Sequence, residues 1–373
     1  MLPFVSTPFF LLSFCVVAFL YFLKAPLSRL IPYSHCIFGL SIIFAVFYLP
    51  DSLFLLGFLC YAYIVYHVFS RIKPDVNPLW GVLIMAFPMI LMKLHISNSL
   101  AKITGISYIT FRTVQAMIDS KSYGRLNFQN FTSFILFPPT ILAGPIDRSY
   151  RFMEDIEKGY SSINANNILT GWRYMITGLF MKYVVSELIN TQWLVKTYNI
   201  EWFNLIDDAY AYSAFLYFEF AGYSLMAVGL GYMLGIQVPI NFDKPYLAEN
   251  PQDFWRRFHI TLGAWLKDYF FMPIYKYLHH LPYIKHHKLM MQNLSLLLTF
   301  LLMGCWNGIN FHYIFSGFLF GIYSMIHNSY IHYLKLGGKD YFKMIPSSFE
   351  KPVKICLMIH AAVIALYFFS GRI

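Results

Sequence analysis

Long apolar runs separated by short polar segments recur along the whole chain. Each run is long enough, or nearly so, to cross the ~30 Å hydrocarbon core of a bilayer as a helix. The first run lacks a basic leader and a small-residue cleavage site, which predicts a retained span and not a signal peptide. The predicted spans are 8–23, 36–50, 52–70, 79–94, 171–190, 209–235, 289–305, 309–334 and 353–369.

One apolar stretch, FTSFILFPPTILAG at 131–144, does not fit the pattern of a simple span. It is too short to cross, and Pro138 and Pro139 interrupt it, because proline lacks the N–H that a helix interior needs. Irregular backbone at membrane depth is tolerated only where protein or a water-filled cavity satisfies it. The stretch therefore predicts a broken or re-entrant segment.

A second stretch, 241–277, is amphipathic. Its apolar side chains recur at helical spacing, which predicts a helix lying in the membrane interface and forming either an anchor or the rim of a site. The apolar stripe comprises Trp255, Phe258, Leu262, Trp265 and Leu266, and the basic residues off that stripe are Arg256, Arg257 and Lys267.

Composition agrees with a membrane protein. Only 12% of the residues are charged and 58% are hydrophobic, whereas soluble domains carry about a quarter charged residues. The net charge of +10 comes from basic residues in short loops, as expected for topology determinants and headgroup contacts and not for nucleic-acid binding. No repeat or soluble domain is visible, so we predict one domain, 1–373, that is all-α and crosses the membrane many times.

Two histidines are the candidates for acid–base chemistry. His259 lies in WRRFHITL, and His312 lies in GCWNGINFHYIFSG, where glycines permit close helix approach. A neutral imidazole can take a proton from a hydroxyl nucleophile because its pKa is near operating pH. No nucleophile elbow, Walker loop or zinc-binding H-E-x-x-H competes, and no metal site is predicted.

Four ordered motifs resemble the membrane-bound O-acyltransferase family, within it most closely the DltB-type branch that transfers D-alanine in teichoic acid modification. The core is YSLMAVGLGYMLGIQVPINFDKPYLAENPQDFWRRFHITLGAWLKDYFFMPIY. Three flanking segments support it, and together the motifs span about 100–330: GISYITFRTVQAMID at 105–119, FPPTILAGPIDRSYRF at 137–152 and CWNGINFHYIFSG at 305–317.

The resemblance implies a ring of transmembrane helices around a central funnel, in a multi-pass protein of the bacterial plasma membrane. It implies that D-alanine arrives as a thioester on the phosphopantetheine of a small acyl carrier protein, with no cofactor bound to the chain itself. The acceptor would be a hydroxyl of a glycan or teichoic acid-like cell-wall polymer on the outer side. Further implied partners are membrane lipids and an accessory membrane protein.

One position departs from the family pattern. The histidine of the family's W-H-G segment is replaced here by Asn307, while His259 matches the other recurrent histidine. An amide cannot act as a general base near neutral pH. Three interpretations follow: His312 takes over as the base; Asn307 orients the acceptor or stabilises an oxyanion while His259 is the base; or catalysis is lost and a binding or conduit role remains.

The remaining expectations concern the surroundings of the base. Trp306, Glu219 and Trp255 are predicted to line the funnel, and Arg256, Arg257 and Lys267 to dock an acidic carrier or the phosphopantetheine phosphate. Glu219 sits between aromatic residues and should be partnered or have a raised pKa. Buried charges beside a broken helix usually satisfy backbone or another charge, so we expect a structural role for three more residues: Arg112, Asp147 and Arg148.

Two other functions compete with D-alanyl transfer. An O-acetyltransferase of an exported polysaccharide belongs to the same class and differs in its donor. A transporter or lipid conduit belongs to another class, with polar residues in the spans lining a path. Against the conduit, transporters often show repeated halves, and none is visible here.

Overall fold

A computed structural model of the protein describes residues 7–47, 49, 52–71, 79–94, 96, 105–194 and 202–372. Helices make up most of these ranges, and the one β-type pairing described in them is an isolated bridge between Phe242 and Phe258. The predicted all-α class is therefore confirmed. Positions 48 and 50 of the predicted span 36–50 lie outside the described residues.

Two compact units divide the chain. The first comprises Met1–Leu179 and Gly222–Pro239, and the second comprises Phe180–Ala221 and Ile240–Ile373. The single domain predicted from the sequence stays a prediction, as does the ring of helices around a funnel.

The first unit begins with four apolar helices and continues with four less apolar ones. Their bounds are α1 Thr7–Leu30, α2 Tyr33–Phe47, α3 Ser52–Phe69, α4 Leu79–Lys93, α5 Ile106–Tyr123, α6 Phe128–Ile135, α7 Ser149–Lys158 and α8 Ala165–Phe180.

The second unit contains the longest helices and three stretches of π-helical geometry. Its α helices are α9 Ser186–Leu188, α10 Trp202–Met233, α11 Pro251–Arg257, α12 Ile260–Leu266, α13 Met272–His279, α14 Lys288–Asn307, α15 Phe311–Lys335 and α16 Ser347–Ser370, with the last part of α10 belonging to the first unit. The π-helical stretches are Met181–Val185, Ile189–Trp193 and Lys267–Phe271.

Five described helices are long and apolar enough to cross a membrane. They contain the stretches Phe9–Leu30, Ser52–Arg71, Asn204–Met233, Lys288–Asn307 and Ser347–Ser370. The shorter apolar helices α2 and α4 add to this set. The predicted spans 171–190 and 309–334 are also helical, but they are not among the five, since the first changes to π geometry after Phe180 and the second carries many Tyr, Ser and His residues.

Glycines let α8 and the last part of α10 approach closely within the first unit. A Cβ at Gly171 would lie 2.6 Å from the Gly229 carbonyl oxygen, and one at Gly178 would lie 2.6 Å from that of Gly222. Small residues at helix crossings permit such backbone approach, which is the main source of packing energy between helices in lipid.

The broken segment predicted at 131–144 is confirmed. α6 ends at Ile135, a 3₁₀ turn covers Pro138–Thr140, and the backbone between and after them is irregular and buried. The Arg112 guanidinium, 1% exposed, satisfies this backbone by donating to the carbonyls of Phe134, Ile135 and Thr140. The structural role predicted for Arg112 is therefore confirmed, although the residue lies in helix α5 and not in a loop.

Asp147 also has the structural role predicted for it. Its carboxylate accepts hydrogen bonds from the Arg151 guanidinium and from the backbone N–H of Arg148. The same guanidinium reaches Asp155, 3.0 Å away, and Asp155 accepts from the backbone N–H of Gln237. These bonds fix α7 against the segment that follows α10.

Candidate functional site

The sequence predicted a continuous amphipathic helix within 241–277, and this prediction is wrong, because the helix is interrupted at Phe258 and His259. α11 ends at Arg257, Phe258 is extended, His259 has a positive φ of 50°, and α12 begins at Ile260. The break arises because the backbone at 257–260 pairs with the segment before α11. The N–H of Ile260 donates to the carbonyl of Asn241 at 2.9 Å, and the N–H of Asp243 donates to the carbonyl of Arg257 at 2.9 Å.

His259 is buried at this break, with 6% of its surface exposed. Its Nδ1 lies 3.3 Å from Oδ1 of Asn241. His259 lies outside the candidate membrane spans, and burial lowers the pKa of its imidazole to about 3. The imidazole is therefore neutral at physiological pH and can act as a proton acceptor.

Aromatic rings surround the imidazole. The ring of Phe220 stands edge-on to it with centroids 4.8 Å apart, and the rings of Phe242 and Trp306 lie at 6.4 Å. Trp306 was predicted to line the funnel, which stays a prediction; in the structure its ring lies beside His259. These rings surround the buried imidazole with apolar groups, so any charge that develops on it is weakly screened.

Asn307 is the last residue of α14, and its Nδ2 donates to the carbonyl of Met303 at 2.9 Å. The chain leaves helical geometry at Gly308 and re-enters it in α15 at Phe311. Asn307 and His312 therefore do not lie on one continuous helix.

His312 contacts the end of the last helix. Its Nδ1 lies 3.1 Å from the carbonyl oxygen of Phe369, and its ring centroid lies 3.9 Å from that of Tyr313. Within the part of the chain that the structure describes, no hydrogen bond or ring contact joins His312 to His259. The two candidate histidines therefore occupy different surroundings.

The basic residues of the amphipathic stretch differ in their partners. Arg256 and Arg257 both bind the buried carboxylate of Asp253, at 2.7 and 3.0 Å. Burial opposes the charged form of Asp253, but the hydrogen bonds from these arginines outweigh it and hold the pKa below its usual value. Lys267 is exposed at the start of a π-helical stretch.

Trp255 and Lys267 line one cavity of about 370 Å³ in the second unit. Its walls are mostly apolar, and polar side chains from α14 and α15, including Gln292 and Asn328, enter it. The indole Nε1 of Trp255 is buried without a hydrogen-bond partner in the described structure. Trp255, predicted to line the funnel, and Lys267, predicted to dock the carrier, therefore line the same cavity.

Glu219 is partnered, as predicted. Its carboxylate accepts a hydrogen bond from the Lys182 ammonium and another from the Ser186 hydroxyl at 3.2 Å. Lys182 lies in the first π-helical stretch, and its side chain is only 11% exposed. Within the second unit, this ion pair joins the π-helical stretch Met181–Val185 to α10.

Sequence reasoning missed two parts of the second unit. Asn241 was quoted inside a motif, but nothing in its surroundings marked it as the partner of His259. The carboxylate of Asp208, near the start of α10, accepts hydrogen bonds from the Tyr367 hydroxyl at 2.9 Å and from Nε and Nη2 of Arg372 at 2.7 and 2.9 Å. These partners are 159 and 164 residues away in sequence, so no local pattern signals them.

Comparison with known proteins gives one family match and three informative relatives. The sequence pattern of the membrane-bound O-acyltransferase family matches residues 82–369. The chain is 33% identical over 287 residues to a teichoic acid D-alanyltransferase of Bacillus subtilis (strain 168), covering 74% of this chain and 71% of the relative. A teichoic acid D-alanyltransferase of Streptococcus thermophilus is 29% identical over 340 residues, or 85% and 82% of the two chains. A peptidoglycan O-acetyltransferase of Helicobacter pylori is 34% identical over 212 residues, 55% of this chain and 38% of that one.

Proposed function

This chain belongs to the membrane-bound O-acyltransferase family, and from that premise we propose that it transfers D-alanine from a carrier-protein thioester to hydroxyls of a teichoic acid-like cell-wall polymer. The reaction takes place in the bacterial plasma membrane, with the donor on the cytoplasmic side and the acceptor outside.

The extent of the similarity to the D-alanyltransferases carries this proposal. Those relatives align with most of this chain and with most of their own length. The peptidoglycan O-acetyltransferase aligns with less than half of its own length. The similarity thus favours D-alanine over acetate as the transferred group.

The transfer needs a base and no redox step. The acceptor hydroxyl oxygen attacks the thioester carbonyl carbon, the C–S bond breaks, and the new ester holds the acyl group. The base removes the hydroxyl proton, and the leaving thiolate takes up a proton as the thiol. The surroundings of His259 support it in this role, because its imidazole is neutral and is anchored through Nδ1, which leaves Nε2 to accept the proton.

The low pKa of His259 limits its strength as a base in the resting site. During transfer, however, negative charge develops on the thioester oxygen and sulfur. Among these apolar rings that charge would attract an imidazolium more strongly than it would in water, which favours proton transfer at that moment. Among the three interpretations of Asn307, this supports the one in which His259 is the base and Asn307 orients the acceptor or stabilises an oxyanion.

The distribution of basic residues indicates which ends of the helices in the second unit face the cytoplasm. Basic residues cluster before α14 and between α15 and α16, with Lys285, Lys339 and Lys343 as examples, while the connection from α14 to α15 has none. Positively charged loops favour the cytoplasmic side. The end that holds Asn307 and His312 then faces outward, toward the acceptor.

The cavity shared by Trp255 and Lys267 supports a docking place for the carrier's phosphopantetheine. The ammonium of Lys267 suits a phosphate, while the polar side chains and apolar walls suit a chain that alternates amides with methylenes. Arg256, whose side chain is 74% exposed, adds positive charge for an acidic carrier surface. A conduit is less well supported, because Lys182 and Glu219 satisfy each other.

The deciding experiment reconstitutes the purified chain in liposomes that contain lipid-linked glycerol phosphate polymer. Radiolabelled D-alanyl carrier protein and radiolabelled acetyl-CoA are offered separately. We expect label to enter the polymer from the D-alanyl carrier and at least tenfold less from acetyl-CoA. Label from acetyl-CoA alone would make the chain an O-acetyltransferase. Polymer crossing the bilayer without acylation would make it a conduit.

Replacing the two histidines separately tests the base. His259→Gln should lower the transfer rate at least a hundredfold, within the usual contribution of general base catalysis. His312→Gln should leave most of the rate. The reverse ranking would assign the base to His312, and full activity of both variants would end the histidine mechanism.

A further inference from the structure

The carboxamide of Asn241 lies within hydrogen-bond distance of the His259 ring. Asn241 is 1% exposed. Its Oδ1 lies 3.1 Å from Thr261 N, 2.9 Å from Thr261 Oγ1 and 3.3 Å from His259 Nδ1. One oxygen therefore gathers three contacts in the interior of the second unit.

Backbone pairing holds these residues in register. Phe242 and Phe258 form an antiparallel bridge, and Ile260 N–H donates to the Asn241 carbonyl. Asn241 and His259 are thus fixed by main-chain bonds on both sides of their side-chain contact. A small change of side chain at position 241 should leave this backbone in place.

The hydrogen-bond geometry defines the state of the imidazole. A backbone N–H can only donate, so the atom of Asn241 that faces Thr261 N must be the oxygen. That oxygen can only accept, so Nδ1 of His259 carries a hydrogen. A neutral imidazole then has its lone pair on Nε2.

Asparagine at position 241 leaves one buried hydrogen-bond donor unsatisfied, which aspartate would not. Nδ2 of Asn241 is buried without a hydrogen-bond partner in the described structure, which typically costs about 1–3 kcal/mol. An aspartate would accept the same three bonds and leave no donor unpaired. It would also place a negative charge against the imidazole and favour its protonated form.

The other neighbours of the imidazole are neutral. Its described ring contacts are Phe220, Phe242 and Trp306. The charged side chains beside these contacts in sequence pair with one another: Arg257 binds Asp253 and Asp243, and Glu219 binds Lys182. The residue at position 241 therefore decides whether the ring has a charged neighbour.

We propose that Asn241 is the positioning residue of His259: it holds the imidazole in the neutral, Nδ1-protonated form with Nε2 free to accept a proton, where aspartate would charge it. The inference rests on the proposed function in that it takes His259 as the base of the transfer reaction.

The first test is the pH profile of D-alanine transfer. Asn241→Asp should raise the pH of half-maximal activity by at least one unit, with activity regained at high pH. Asn241→Leu should lower the rate at least tenfold at every pH without moving the profile. Asn127→Asp is the matched control, since Asn127 is an exposed helix cap whose Oδ1 likewise accepts a backbone N–H. An unmoved profile in Asn241→Asp, or a fully active Asn241→Leu, overturns the proposal.

The second test needs no variant at position 241 to fold. Protein labelled with ¹⁵N-histidine is studied by solid-state NMR in liposomes, and the His259 signals are identified by their loss in His259→Gln. We expect a protonated Nδ1 and an unprotonated Nε2 from pH 5.5 to 8. An Nε2-protonated ring or an imidazolium in that range overturns the proposal.

The two tests separate this inference from the proposed function. If the wild-type chain transfers no D-alanine while NMR gives the Nδ1-protonated ring, the proposed function fails and the positioning by Asn241 stands. If the wild-type chain is active while Asn241→Asp keeps the wild-type profile, the positioning fails and the function stands.

Discussion

The Nδ1 atom of His312 lies 3.1 Å from the carbonyl oxygen of Phe369, so the first turn of α15 is hydrogen-bonded to the last turn of α16. A catalytic histidine is often anchored in the same way, with Nδ1–H donating to a backbone carbonyl and Nε2 left free. The contact is therefore compatible both with a structural role and with the base role that the sequence suggested first.

Substitution of His312 separates these roles. Glutamine can still donate to Phe369, whereas leucine cannot, so His312→Leu should lose about 1 kcal/mol of stability and His312→Gln much less. We expect His312→Gln to keep the transfer activity. Thermal unfolding in detergent and the liposome assay measure both effects, and a stable but inactive glutamine variant would restore His312 as the base.

The buried imidazole of His259 makes stability depend on pH. Its folded pKa of about 3 lies below the ordinary value of about 6.5, so below pH 6.5 the unfolded chain binds a proton that the folded chain does not. This stabilisation is full above pH 6.5 and is lost as the pH falls toward 3. From pH 7.5 to 5.5 the loss should be about 1.4 kcal/mol.

Denaturant unfolding at the two pH values checks this prediction. The loss of stability should be smaller in His259→Gln than in the wild-type chain by about that amount. Equal losses in the two proteins would mean that the imidazole titrates normally in the folded state.

Close packing of α8 on α10 should make Gly171 intolerant of a side chain. A methyl group there would meet the Gly229 carbonyl oxygen at 2.6 Å, and overpacking of this kind costs about 1–3 kcal/mol. Gly57 in α3 is the matched control, because a Cβ there has no atom within 4 Å. Gly171→Ala should lower the unfolding temperature and Gly57→Ala should raise it slightly; equal effects would contradict the close approach.

Arg112 should not be replaceable by lysine. Three backbone carbonyls of the broken segment accept from its planar guanidinium, and an ammonium on a shorter chain cannot match that fork. Arg112→Lys should lose about 3 kcal/mol, and Arg112→Met at least as much. Arg173→Lys, at an exposed position of α8, should change little. An Arg112→Lys protein as stable as the wild type would show that the broken segment at 131–144 does not depend on the guanidinium for its stability.

The Lys182–Glu219 pair should show coupling in a double-mutant cycle. Removing one partner leaves a poorly solvated charge, so Lys182→Met and Glu219→Gln should each cost about 2 kcal/mol. The double variant should cost less than the sum. Glu187→Gln, on the exposed side of α9, is the control. Additive losses would mean that the two side chains act independently.

Much of the fold followed from local pattern. Within the described residues, the apolar runs placed each predicted span on helical segments, and the Pro138–Pro139 pair predicted the broken segment, because helix formation and helix breaking depend on neighbours in sequence. The requirement that a buried charge be satisfied predicted partners for Arg112 and Glu219. It did not identify them, since Lys182 is 37 residues from Glu219.

Local sequence pattern predicted less of the candidate site around His259. Helical spacing predicted a continuous amphipathic helix through His259, but the chain breaks there because the main chain on either side of His259 bonds to Asn241 and Asp243. The sequence also offered both histidines as candidates for the base, with His312 first and His259 second. Only their neighbours distinguish them.

The sequence by itself therefore determined the membrane helices, the family motifs and which residue types were available for chemistry, because these depend on composition and on spacing along the chain. The tertiary structure alone decided that Asn241 faces His259, that Trp306 packs beside it, and that His312 bonds to Phe369. These contacts join residues between 18 and 57 positions apart, and their pairing depends on how whole helices pack, which no local pattern encodes.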